Sequence, residues 1–389
     1  MAVRLLYGEI SDLCVGKPKL GWISASASIS EALSALKASG DTQLSVWECT
    51  GESANGRWIC VGKFSVADVI LYLCREINLA DPFKAFEAPV SDILPKAEFP
   101  IVRHLEADSS LLEAIECILE GTQNLVIPIT NHRTTDARKK SFIRKKVLKC
   151  DCLNRHLHCC WLTQEDMVRY LLNSIGVFSP IPTLTVESLD AIDSDIITLP
   201  YYKAASSALA QFSRALAQQK PIAVVDDENR LIGEISPVAL ARCNITTAAA
   251  IMTLSVADLM AYIEYSEPPE DLVQLIKMRL EGKNLVGMME LMDEFFHTSK
   301  APSSYSPCSS DDESLSSSID ISKNGGWGRH SSTTRWEVVV CGPGSSLVAV
   351  MFQALANQVP CVWVVEEDQT LVGAVTLAGI LEALSNVAP

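Results

Sequence analysis

"IAVVDDENRLIGEISPVAL" (residues 222–240) and "VWVVEEDQTLVGAVTLAGI" (residues 362–380) align without a gap. Each opens on four apolar residues, turns through an acidic quartet (Asp226 to Asn229, Glu366 to Gln369) and resumes as a second apolar run. Short apolar runs bounded by turn formers read as buried strands. Gly233 and Gly373 hold the same place in the second run, and Ser236 and Thr376 stand where it passes into a helical pattern. A match this long inside one chain marks a repeated unit.

Two looser copies occupy the first half. "LSVWE" (residues 44–48) with "RWICVGKFSVADVILYL" (residues 57–73) forms the same series around a longer turn. "NLVIPI" (residues 124–129) with "HCCWLTQEDMVRYLL" (residues 158–172) forms another, split by a basic insertion. Upstream of each pair lies a helical stretch: residues 29–33, 111–115, 206–209 and 346–349. A Ser-Asp-Leu signature or a relative of it recurs at residues 11–13, 91–93 and 257–259. The fold class expected is therefore α/β, of the α+β type: four units, each strand-helix-strand-strand-helix, paired in tandem. The boundaries expected are 1–80 for unit 1 and 88–178 for unit 2 with its basic insertion 131–151. Unit 3 takes 183–248, and unit 4 takes 253–389 with a Ser-rich insertion 300–334.

This organisation resembles the CBS domain, whose recurring feature is Gly-x-x-Ser/Thr-x-x-Asp at the last strand and helix of each unit. Four units in two tandem modules, often called Bateman modules, are similar to the γ regulatory subunit of SNF1/AMP-activated protein kinases. The Ser-rich insertion and the cysteine content look closer to plant proteins with CBS domains. The resemblance implies a non-catalytic regulatory protein that takes an adenosine-type ligand (AMP, ADP, ATP or S-adenosylmethionine) between paired units. It also implies a protein partner, with a protein kinase complex as the candidate. A ligand-free scaffold for protein–protein interaction is the alternative.

Within that resemblance, Gly62, Phe64, Ser65 and Asp68 of unit 1 are the candidate ligand residues. Glycine permits close approach to the backbone, the helix start after Ser65 favours phosphate, and Asp68 stands where such units hold a ribose. Thr163 and Asp166 are the counterparts in unit 2, with Cys160 in the glycine place. Units 3 and 4 carry Ala239 and Gly379 at the carboxylate place, and neither residue can hold a ribose. Ser65-x-x-Asp68 and Thr163-x-x-Asp166 are equally capping-box patterns, in which hydroxyl and carboxylate satisfy the first helical N–H groups.

Composition bounds the rest. The chain has 389 residues, 48% of them hydrophobic, enough for two or three domains with proper cores. It contains no apolar run of the roughly 20 residues that span a bilayer, and its first twenty residues have no signal-type apolar core. A cytoplasmic chain off the membrane is expected, with the nucleus as an alternative, as monomer or homodimer. The net charge of −15 argues against unspecific nucleic-acid binding.

Two segments stand apart. Residues 133–149 carry eight basic side chains against one acidic, which reads as a solvated loop, a polyanion patch, or a source of charge for a bound phosphate. Residues 303–334 contain twelve serines and too little apolar surface to offset ordering.

The thirteen cysteines read mainly as free thiols that pack as small hydrophobes, with Cys60, Cys74, Cys117 and Cys361 inside apolar patterns. Cys150, Cys152, His156, His158, Cys159 and Cys160 lie close in sequence. Adjacent strand residues face opposite ways, so Cys159 and Cys160 make poor joint ligands, and no metal is expected. Thiol-based redox regulation through units 1 and 2 is a further alternative. No G-x-S-x-G, Walker, Rossmann or HExxH pattern occurs, and no catalytic activity is expected.

Overall fold

A computed structural model describes residues 2–50, 57–94, 102–129, 158–264, 268–299 and 338–386. The basic segment around residues 133–149, the Ser-rich segment, Cys150, Cys152 and His156 lie outside the described residues.

Among the described residues four three-stranded sheets form, one per repeat. They are β1 (Trp22–Ser24), β2 (Gln43–Thr50) and β3 (Arg57–Ser65); then β4 (Val102–His104), β5 (Asn124–Pro128) and β6 (Cys159–Leu162). The second half supplies β7 (Ile197–Pro200), β8 (Ile222–Val225) and β9 (Leu231–Ile235), then β10 (Val340–Cys341), β11 (Cys361–Val365) and β12 (Leu371–Thr376). In every sheet the first strand runs parallel to the second and the second antiparallel to the third. A parallel pair needs a crossover, which the helices Ile29–Ser39, Leu111–Leu119, Leu209–Gln218 and Leu347–Asn357 provide. A second helix follows each third strand: Val66–Leu73, Gln164–Leu172, Pro237–Arg242 and Leu377–Ser385. The strand-helix-strand-strand-helix order expected of the repeats is the order observed.

Two kinds of interface assemble the units. Sheet faces pair neighbours: Leu20, Trp47, Cys60, Val102, Val126 and Cys159 form one apolar layer between units 1 and 2. Ala223, Val225, Cys361, Trp363, Val365 and Leu371 form its counterpart between units 3 and 4. The acidic turns of the opening alignment meet there reciprocally. Leu231 N–H donates to Gln369 O at 3.1 Å and Leu371 N–H to Asn229 O at 2.9 Å, the self-complementary pattern of a pseudo-twofold.

Helices then close one module on the other. One core holds Ile29, Phe64 and Ile70 of unit 1 with Phe212, Ile235 and Leu240 of unit 3. A second holds Ile115, Leu162 and Leu171 of unit 2 with Val350, Val364 and Leu381 of unit 4. The Met-rich stretch after unit 3 forms helices Glu270–Gly282 and Val286–Ser299, and Met288 and Met292 are fully buried in the first core.

The short segments leading into the units exchange places. Ile10 and Ser11, at the start of the chain, donate their N–H groups to Ser109 and Ala107 of unit 2. Val90 and Ser91, leading into unit 2, donate back to Ala27 and Ala25 of unit 1. Val186 and Glu187, leading into unit 3, bond to Ser345 and Pro343 of unit 4, while Val256 and Ala257 bond to Lys203 and Tyr201 of unit 3. Three of these sites carry the Ser-Asp-Leu signature or its relative. Residues 2–14, which precede unit 1 in sequence, therefore pack on unit 2.

No helix among the described residues is long and apolar enough to cross a membrane.

Candidate functional site

β3 alternates, and the alternation decides what faces the ligand position of unit 1. Phe64 points inward, fully buried in the first core. It was expected to touch a ligand and does not line the cleft; strand periodicity sends it to the opposite face from Lys63 and Ser65. Those two, with Gly62 and Asp68, line a cleft of about 180 Å³ whose far wall is Leu216, Gln219, Pro237, Val238, Ala241 and Arg242 of unit 3. The cleft thus lies across the two modules, whereas the resemblance implied a site between units of one pair.

Asp68 is held as a cap. Its Oδ2 accepts from Ser65 N–H and Ser65 Oγ, both at 2.7 Å. Burial pushes the Asp68 carboxyl up from 3.8 to about 6, against the pull of the Ser65 hydrogen bonds and the nearby Lys63 ammonium. Burial likewise pulls Lys63 down from 10.5 to about 8, opposed by Asp68. Lys63 Nζ donates to Asn124 Oδ1 of unit 2 at 3.0 Å. Asn124 is 4% exposed, and its buried Nδ2 has no hydrogen-bond partner among the described residues. A donor in that state costs about 1–3 kcal/mol. Arg242, on the far wall, adds a second positive side chain to the cleft.

Gly62 answers to packing as well as to any ligand. A Cβ built there would meet Leu94 Cδ2, in the lead-in to unit 2, at 3.0 Å. In unit 4 a Cβ on Gly373 would meet Asp193 O and Ile192 Cγ2 at 2.7 Å, where Asp193 and Ala374 exchange backbone bonds at 2.8 and 3.0 Å. The repeated glycine admits a crossing chain segment.

Unit 2 builds the same cap but spends its carboxylate. Asp166 Oδ2 accepts from Thr163 N–H at 2.8 Å and Thr163 Oγ1 at 2.6 Å. It is also ion-paired with Lys17, from the exchanged lead-in segment. Lys17 Nζ donates further to Trp161 O at 2.8 Å. Cys160 stands in the glycine place and is buried in the core of units 2 and 4, while Cys159 faces the unit 1–2 sheet layer. The opposite facing expected of the two is observed. Among the described residues no group of three or more His, Cys, Asp or Glu is placed to hold a metal. Cys60, Cys74, Cys117 and Cys361 are buried, as their apolar patterns required.

In units 3 and 4 the hydroxyls act as plain caps: Ser236 Oγ accepts from Ala239 N–H at 3.1 Å and Thr376 Oγ1 from Gly379 N–H at 3.0 Å. Sequence reasoning missed Lys63, Arg242 and Lys17. Strand alternation from Ser65 points to the first. The other two come from remote segments and left no local signal.

Known proteins share this architecture. The CBS domain family profile matches residues 333–386. CBS domain-containing protein CBSX5 of Arabidopsis thaliana is 41% identical over 397 residues, covering 98% of this chain and 97% of that one. The SNF1-related protein kinase regulatory subunit gamma-like PV42b of the same plant is 20% identical, with 73% of this chain and 83% of that one covered. A solved protein of Methanocaldococcus jannaschii, described as an archaeal homolog of g-AMPK, superposes with a TM-score of 0.54 at 14% identity, over 96% of this chain and 99% of that one; at that identity the likeness speaks to fold. With the four repeats, their paired sheets and a near-full-length relative in agreement, the chain belongs to the CBS domain-containing protein family.

Proposed function

We propose that this CBS protein is a regulator whose unit 1 position receives an adenosine-type nucleotide. Asp68 takes the ribose hydroxyls, and Lys63, Arg242 and the helix start after Ser65 take the phosphates. The observation that carries this reading is Lys63: a buried ammonium, held by the buried Asn124 amide at 3.0 Å, that lines the same cleft as Asp68. A phosphate oxygen in the cleft meets the need of that ammonium, and a charge-assisted bond of this kind is worth about twice a neutral one. Asp166 stands apart, because the Lys17 ammonium already sits on it. A ligand held between units 1 and 3 changes how the two modules close, and so which surface a protein partner meets; it does so only by binding one closure better than another. Likeness to kinase γ subunits makes a protein kinase complex the partner to test.

A scaffold function without nucleotide is the second reading. It is favoured by the size of the cleft, about 180 Å³, against the roughly 300–1,000 Å³ of a site that encloses a whole small molecule. Calorimetric titration with AMP, ATP and S-adenosylmethionine separates the two. Binding below millimolar that Asp68→Ala weakens at least tenfold, with Asp166→Ala unchanged, supports the nucleotide site. No binding by the wild-type chain leaves the scaffold.

A further inference from the structure

The glycine place of unit 2 carries a feature that units 1, 3 and 4 lack. In unit 1, Gly62 abuts Leu94, the fourth residue of the stretch Ser91-Asp92-Ile93-Leu94. The same stretch leading in to unit 2's side is Ser11-Asp12-Leu13-Cys14, so Cys14 is the counterpart of Leu94 as Cys160 is of Gly62. The repeat thereby brings two thiols together where unit 1 has a leucine against a glycine. Cys14 ends the turn Ile10–Cys14, which packs on β6, and both Cys14 and Cys160 are free thiols buried in the core shared by units 2 and 4. Three residues beyond Cys14, Lys17 pairs with Asp166 and holds the segment on β6. Leu20 N–H bonds to Cys159 O at 3.0 Å and extends that seam.

We propose that Cys14 and Cys160 form an oxidisable dithiol which a hydroperoxide converts to a disulfide, covalently fastening the N-terminal lead-in segment to unit 2. The Cys160 sulfur attacks the peroxide oxygen, its proton leaving with the departing oxygen as water or alcohol, and becomes a sulfenic acid. The Cys14 sulfur then attacks the Cys160 sulfur and expels the hydroxyl as water, with the Cys14 proton. Two thiols and one hydroperoxide yield one disulfide, one water and one water or alcohol; the peroxide O–O bond is reduced and both sulfurs are oxidised.

The surroundings favour Cys160 as the attacking sulfur. The neighbouring Cys14 thiol holds the Cys160 thiol below the ordinary range, aided by the Lys17 ammonium and against the effect of burial. Cys14 is held above its ordinary range, chiefly by the Cys160 thiol and then by burial. Because the lead-in segment carries both Cys14 and Lys17, the disulfide fixes the ammonium over Asp166. The proposal does not depend on nucleotide binding at Asp68.

The test uses the full-length reduced protein. It is treated with a few equivalents of hydrogen peroxide, blocked with N-ethylmaleimide and digested without reductant for peptide mapping. The expected result is one cross-linked peptide pair joining Cys14 to Cys160, lost on dithiothreitol treatment, absent from Cys14→Ser and still formed in Cys49→Ser. Cys160 joined to another cysteine, Cys150 and Cys152 included, would overturn the proposal. So would Cys160 oxidised to sulfinic acid with Cys14 still alkylated, or both thiols intact under conditions that oxidise the exposed Cys49. These outcomes are all read on the wild-type chain, so a folding defect in the variant does not blur them.

Discussion

Asp68 and Asp166 hold the same place in their repeats and make the same cap, yet they differ in what else reaches them. Asp166 is answered by an ammonium 149 residues away in sequence, whereas Asp68 looks into a cleft. The titration of the Asp68 site follows from its burial. Asp68 is raised from 3.8 to about 6, so its contribution to stability is full below 3.8 and is lost as pH rises through about 6. Lys63 is lowered from 10.5 to about 8, so its contribution is present above 10.5 and is lost as pH falls through about 8. Ligand binding has the opposite need for charge on Lys63. Affinity for a phosphate-bearing ligand should therefore fall as pH rises through about 8, and Lys63→Met should cost about tenfold or more at neutral pH while flattening that fall. Titrations at several pH values check this; a profile unchanged by the substitution would remove Lys63 from the site.

Among the elements, the strand-to-helix hand-over is the recurring device. A hydroxyl ends the third strand, and in units 2, 3 and 4 it accepts the N–H three residues on. In unit 1 the carboxylate of Asp68 binds back to Ser65. The pattern was legible as a cap and as a ligand motif at once, because both uses ask for a hydroxyl and a carboxylate at a helix start. The two separate in unit 3, which keeps the cap without the carboxylate. Ser236→Ala should lower stability by about 1 kcal/mol, read as a shift of the denaturation midpoint, and leave nucleotide affinity where it was. Glycine was harder to read. Close approach was the right physics for Gly62 and Gly373, but the neighbours that approach are Leu94 and the Ile192–Asp193 backbone.

For the whole molecule, the exchange of lead-in segments ties each pair of units together beyond the sheet faces. Residues 2–14 belong energetically to unit 2: Leu6 and Ile10 are fully buried in the core of units 2 and 4. Removing residues 1–20 should therefore expose unit 2 to hydrogen exchange around Leu111–Leu119 and Gln164–Leu172, while the core shared by units 1 and 3 stays protected. Equal loss of protection in both cores would contradict this division. The sequence by itself determined the repeat, its strand and helix order and the positions of the caps, because these follow from hydrophobic period and local hydrogen bonding within about twenty residues. Only the tertiary structure decided that Lys17 closes Asp166, that Cys14 meets Cys160, and that the Asp68 cleft is walled by unit 3. Those pairings join residues far apart along the chain, and they arise from packing between units, to which no local pattern in the sequence corresponds.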